Sequence, residues 1–255
     1  MCGDSPTLKK RFITWCVHHG ARETAASELW IQLSDLYREA HRRYHHLGHI
    51  QASLDEFDAT GSDNSLIEGA IWFHDVIYDP KRGDNEAASV AWFLDATSPW
   101  LDPQSTAAIT RLIEATDFRL PPSDDPDSQL MVDIDLAILS ASPEAYAKYC
   151  RAIRQEYAHV SDEAFRKGRA KVMAGFLEGP IYRTVWFRGR EERARANIQA
   201  ELECLSVAVS ESSPGIPDDD NQGFAEALRR SEEMDREPGV CLSHEEFLAA
   251  IRRGA

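Results

Sequence analysis

The stretch Trp72-Phe73-His74-Asp75-Val76-Ile77-Tyr78-Asp79-Pro80 sets an imidazole and a carboxylate side by side in an otherwise apolar segment. A buried carboxylate is tolerated only beside a metal ion, a cation or several hydrogen-bond donors. Any fold that buries this segment must therefore bring polar partners to it from elsewhere in the chain. By residue type the candidates are His49 upstream and Asp133 or Asp135 downstream, the two aspartates lying in the apolar run Leu130 to Leu139. Neighbouring residues on one helix point about 100° apart, yet an ion lying off the helix between the two directions is within reach of both. Mixed nitrogen and oxygen ligands suit Mn, Fe, Co, Ni, Zn or Mg to differing degrees, so the pattern implies a divalent ion without choosing one.

The rest of the chain has helical rather than strand periodicity, and an all-α body is expected, a helical bundle. Trp30, Leu33, Leu36, Tyr37 and Ala40 predict a helix within residues 22 to 42, and a shorter one runs from about His49 to Phe57. Asn64 or Ser65 caps the next, with Leu66, Ala70, Phe73 and Ile77 as its stripe and Pro80 and Gly83 as its end. Further helices are expected from Glu86, from Pro103, from Ser142, from Ser161 to near Gly179, and from Glu191 to about Val207, with Tyr146, Tyr149 and Tyr157 as core packing. Residues 1–209 read as one domain. Residues 210–255 read as an acidic linker and an appended helical tail, holding 11 acidic and 5 basic side chains and two short candidate helices, Phe224 to Met234 and Ser243 to Arg252.

The net charge of −15 argues against a surface for bulk nucleic acid, although a local basic pocket could still collect phosphate. The five cysteines form no C-x-x-C pair and are odd in number, as expected in a reducing cytoplasm. The N-terminal apolar run, Phe12 to Val17, is too short for a signal peptide or a membrane span.

His49, the doublet His74-Asp75 and Asp135 follow an H…HD…D order that resembles the HD superfamily of metal-dependent phosphohydrolases. The likeness extends to Tyr44-His45-His46-Leu47-Gly48-His49-Ile50, Phe73 to Asp79, Asn85-Glu86 with Ser89, Asp133 to Leu139, and Glu191 with Ala194-Arg195-Ala196-Asn197. These look like a bacterial branch of predicted HD phosphohydrolases and cover roughly residues 10 to 206. The resemblance implies an all-helical fold, a divalent ion held by His49, His74, Asp75 and Asp135, and hydrolysis of a small phosphate ester or nucleotide. Tyr78 stands where the alarmone-hydrolysing branch has a glutamate, which argues against an alarmone. Asp117, Phe118 and Arg119 follow Thr116 where relatives often carry a histidine, which favours a single ion.

Around that centre, Asp79 and Glu86 are the candidate acid-base residues, and Arg43, His45 and His46 the candidates for contacting substrate. A regulatory module that keeps the metal site without turnover is the main competing expectation. A third rests on the tail, which faintly resembles bacterial antitoxin segments through Leu228 to Met234 and Leu242 to Leu248 and would then bind a protein partner.

Overall fold

A computed structural model describes residues 6–210 of the chain, with side chains through residue 206. The tail, its two candidate helices and its antitoxin-like segments lie outside the described residues. Within them the protein is all-helical, as the periodicity predicts, and no strand occurs. No helix among the described residues is long and apolar enough to cross a membrane. The chain divides into two compact units.

The first unit comprises residues up to Asp79, Asp84–Ala137 and Thr184–Trp186. It contains Pro6–His18 (α1), Glu23–Leu36 (α2), Leu47–Thr60 (α3), Ser65–Phe73 (α4), Asn85–Thr97 (α5), Pro103–Glu114 (α6) and Pro126–Asp135 (α7). Helix α4 is the hub. It touches α1, α3, α5, α6 and α7, and Ile67, Ala70, Ile71, Trp72 and Phe73 are wholly buried. A helix apolar on nearly every side belongs at the centre of a bundle rather than on its surface. The rings of Phe12, Trp15, Trp30, Trp72, Phe73 and Phe93 meet around it at centroid distances of 5.0–6.5 Å, mostly edge-on or tilted, as ring quadrupoles prefer. Gly69 makes that approach feasible, because a Cβ there would lie 2.5 Å from the Trp15 ring and 2.8 Å from the Ile109 methyl group.

Several features depart from expectation: α2 ends at Leu36 instead of extending toward residue 42, which leaves Ala40 exposed and outside the helix. Pro6–His18 forms α1 where the pattern predicts no helix, its face Leu8, Phe12, Trp15 and Cys16 packing inward. Helix α4 ends at Phe73 rather than running past Ile77 to Pro80. The terminal turn is lost although Val76 and Tyr78 remain buried, so burial there comes from irregular backbone.

The second unit comprises Pro80–Gly83, Ile138–Arg183 and the chain from Phe187. Pro143–Glu156 (α8) and Asp162–Leu177 (α9) pack against Glu191–Ser210 (α11), while the single turn Val185–Arg188 (α10) has Val185 and Trp186 in the first unit and Phe187 and Arg188 in the second. Ser142 and Ser161 cap α8 and α9, each accepting a backbone N–H three residues on at 3.3 Å. The centre of this unit is polar: Arg169 Nε donates to Glu201 Oε1 at 2.8 Å, and the Tyr146 hydroxyl donates to Glu201 Oε2 at 2.5 Å. The Tyr149 ring lies under the guanidinium at 5.1 Å. Tyr146 and Tyr157 thus belong to the core, as expected, whereas Tyr149 is half-buried, and Tyr146 and Tyr149 serve as partners of a buried ion pair.

Cys150 borders this network, and burial followed by the Glu201 charge pushes its thiol up to about 12. Burial does the same to Cys16, whereas Cys204 is exposed. Since the thiolate is the nucleophile, Cys204 is expected to alkylate at pH 8 at least about tenfold faster than Cys150 or Cys16. Site-resolved mass spectrometry over a labelling time course checks this order.

Candidate metal centre

The polar partners that the His74-Asp75 pair requires arrive from α3 and α7. Helix α3 buries Leu47, Ile50, Leu54 and Phe57, and His49 shares that face. Its start is set by His46, whose Nδ1 accepts the Gly48 N–H at 2.8 Å. Gly48 is required beside that cap, because a Cβ would lie 2.5 Å from the His46 ring. His74 stands at the C-terminal end of α4, and Asp135 is the last residue of α7.

The His49 and His74 Nε2 atoms face each other at 3.1 Å. Asp135 Oδ1 lies 3.2 Å from the first and 3.5 Å from the second, and Asp75 Oδ2 lies 3.6 and 3.2 Å from them. His74 Nδ1 sits 3.0 Å from the Ile71 carbonyl oxygen, which can only accept, so this nitrogen carries the proton and Nε2 is left to face the cluster. The ligand atoms of His49, His74 and Asp135 all lie within 4.8 Å of one another and form a group that could hold a metal ion. Donor atoms about 2.1 Å from a shared ion and at right angles around it lie about 3 Å apart, and the observed spacings of 3.1–3.6 Å fit that arrangement.

Without an ion, protons must do the same work. Burial opposes a charge on His74, but Asp75 and Asp135 more than reverse this and hold its pKa well above the usual value. Burial likewise opposes ionisation of the two aspartates, and the imidazoles overcome it: chiefly His74 for Asp75, and His49 with His74 for Asp135, so both carboxyls titrate well below their usual range.

Other candidates occupy different places. Asp133 is fully buried, and its Oδ2 accepts from the Thr184 N–H at 2.7 Å and the Thr184 hydroxyl at 2.6 Å. Residues two apart on a helix point to nearly opposite sides, so the choice between the aspartates falls to Asp135. The His45 ring stacks on Tyr78 at 4.0 Å and lies 5.9 Å from the His49 ring, beside the centre. His46 faces its own helix cap, and Arg43 is exposed. Asp79 follows irregular backbone, so helical spacing from Asp75 does not place it; its main chain is gripped by the Asn85 amide at 3.0 and 3.1 Å. Glu86, on the first turn of α5, pairs with Arg119 at 3.4 Å, which is itself held by Asp117 at 2.6 Å.

Several side chains that shape the centre have no metal-ligand or acid-base signature. Ser89 Oγ bridges the Ile77 N–H and C=O, both at 3.1 Å, and His41 Nε2 lies 2.7 Å from the Tyr78 carbonyl. The Tyr37 hydroxyl donates to the Trp72 carbonyl at 3.0 Å. Arg42, its side chain fully excluded from solvent, donates to the carbonyls of His45, Asp75 and Val76. Asn85 and Ser89 were visible in the sequence as part of the resemblance, while nothing distinguished Arg42 from Arg43.

No family model, curated protein or solved structure matches the chain.

The geometry separates Asp135 from Asp133. Asp135→Asn removes a carboxylate facing His74, so the His74 pKa of metal-free protein falls, as read by NMR titration of ring protons. Asp133→Ala removes the one oxygen that accepts from both Thr184 donors and is expected to cost about 1–3 kcal/mol in denaturant unfolding, with the His74 titration retained.

Proposed function

We propose that this protein is a metal-dependent phosphohydrolase of the HD type, with one divalent ion held by His49, His74, Asp75 and Asp135 and a small phosphate ester or nucleotide as substrate. The observation that carries this reading is the convergence of two ring nitrogens and two carboxylate oxygens drawn from separate parts of the sequence. The order of those residues in the chain resembles the HD pattern, and the all-helical framework agrees with it.

A divalent ion in such a site polarises a phosphoryl oxygen and lowers the pKa of water enough to provide hydroxide near neutral pH. The protein's own groups supply orientation and proton handling. The Ile71 carbonyl fixes the His74 ring so that one nitrogen faces the centre, and ligand basicity rises through that bond. Asp75 and Asp135, with their low pKa values, are ionised at neutral pH and offset the ion's charge. Asp79, half-buried and anchored through its backbone, is the first candidate to orient or deprotonate the attacking water, and Glu86 the second. His45, its ring edge-on to that of His49 at 5.9 Å, is the first candidate for a phosphate contact. Arg43 and His46 remain candidates at its margin.

Metal analysis of the purified protein, followed by a panel of phosphomonoesters, diesters and nucleotides with added Mn, Ni or Mg, tests the reading. Stoichiometric metal with hydrolysis of at least one class is expected. His74→Ala should abolish metal uptake and lower turnover at least about 10³-fold, because it removes a group on which the whole centre depends. Stoichiometric metal with no hydrolysis of any class would favour the regulatory module instead.

A further inference from the structure

We infer that Arg42 is the positioning residue of the metal centre, and that its planar guanidinium sets the spacing between the backbone segments that present the histidine and aspartate ligands. This rests on the metal-binding reading above. Nη1 donates to the His45 carbonyl at 3.0 Å and to the Asp75 carbonyl at 2.7 Å, and Nη2 donates to the Val76 carbonyl at 2.9 Å. Nε is tied to Glu39 Oε2 at 3.1 Å. One side chain therefore bonds to the turn that leads into His49 and to the backbone of a ligand itself. The guanidinium carbon also lies 5.0 Å from the Tyr37 ring and 5.6 Å from the Tyr78 ring, so its position is fixed from its faces as well as its edges.

The chemistry of the four acceptors selects arginine. Three carbonyls and one carboxylate are served by donors on three different nitrogens held in one plane, which a guanidinium provides and an ammonium does not. A lysine at this position carries all its donors on a single nitrogen, which could at best take the place of Nη1 between His45 and Asp75 and would leave the Val76 carbonyl and the Glu39 carboxylate without their donors. Arg42 touches none of the ligand atoms, and its effect passes entirely through the main chain. Ligand geometry matters because a centre of this kind loses affinity when its supporting hydrogen bonds are removed, by about 10–100-fold.

A matched control exists in the second unit. Arg195 also donates to main-chain carbonyls, those of Leu177 at 3.1 Å and Gly179, and is paired with Glu191 at 2.8 Å. It has no ligand of the centre among these partners.

Calorimetric titration with Mn²⁺, Ni²⁺ and Mg²⁺, each alone, on full-length wild type, Arg42→Lys and Arg195→Lys tests the inference, with thermal melts on the same samples. Arg42→Lys is expected to bind about 10–100-fold more weakly, while Arg195→Lys lowers the melting temperature and leaves affinity within about twofold of wild type. Glu39→Gln keeps the guanidinium and weakens its anchor, together with the longer Glu39–His41 contact at 3.9 Å. It therefore stands in if Arg42→Lys does not fold, with an intermediate, several-fold loss expected. Wild-type affinity in Arg42→Lys or, should that fail to fold, in Glu39→Gln overturns the inference and leaves the metal reading intact. Absence of metal uptake by the wild type overturns both.

Discussion

A main chain that leaves helical geometry inside a protein must have its N–H and C=O groups satisfied by something other than its own helix. Much of what surrounds the candidate centre answers that requirement. Helix α4 stops at Phe73, and the backbone that follows is completed by Arg42, His41, Ser89 and Asn85. His74 keeps helical dihedrals and donates its N–H to the Ala70 carbonyl at 2.9 Å, so the departure from helical backbone begins after it. Adjacent in the sequence at the end of α4, His74 and Asp75 bring an imidazole nitrogen and a carboxylate oxygen within 3.2 Å of each other. The backbone that carries Asp75 onward is thus held by side chains contributed from outside α4.

The apolar and polar parts of the first unit divide the labour. The aromatic cluster around α4 gives a rigid base whose packing is close enough to demand glycine at position 69. At the far end of the same helix, the cluster of two imidazoles and two carboxylates would be costly to bury uncompensated. Its cost is offset by mutual neutralisation: the carboxylates favour a charged His74, and the imidazoles favour charged carboxylates. The second unit solves a comparable problem without any such set, burying Glu201 between Arg169 and the Tyr146 hydroxyl.

Much of this was legible in the sequence. Periodicity finds most of the helices, and residue type and order find His49, His74, Asp75 and Asp135, because an imidazole or carboxylate amid apolar neighbours is anomalous one residue at a time. What the sequence hides is of another kind. The end of α4 is concealed because Val76 and Tyr78 stay buried, so the apolar pattern runs on after the helix has stopped. Arg42 and Arg43 are adjacent and chemically identical, and only the fold turns one inward and leaves the other exposed. Asp133 and Asp135 could be ordered only once α7 was known to continue through both, which sends them to opposite sides. Helix α1 is masked in the sequence because Lys9, Lys10 and Arg11 separate Leu8 from Phe12 and the rest of its buried face.

The bond between Asp133 and Thr184 spans 51 residues of sequence, and Thr184–Trp186 belongs to the first unit while the chain on either side belongs to the second. This bears on the order of events during synthesis. A nascent chain that has reached the end of α7 already carries every ligand of the candidate centre, yet the two Thr184 donors to its buried Asp133 have still to be made. The N-terminal unit is therefore completed only when a later segment returns to it, so the ribosome must deliver much of the second unit before the first can close.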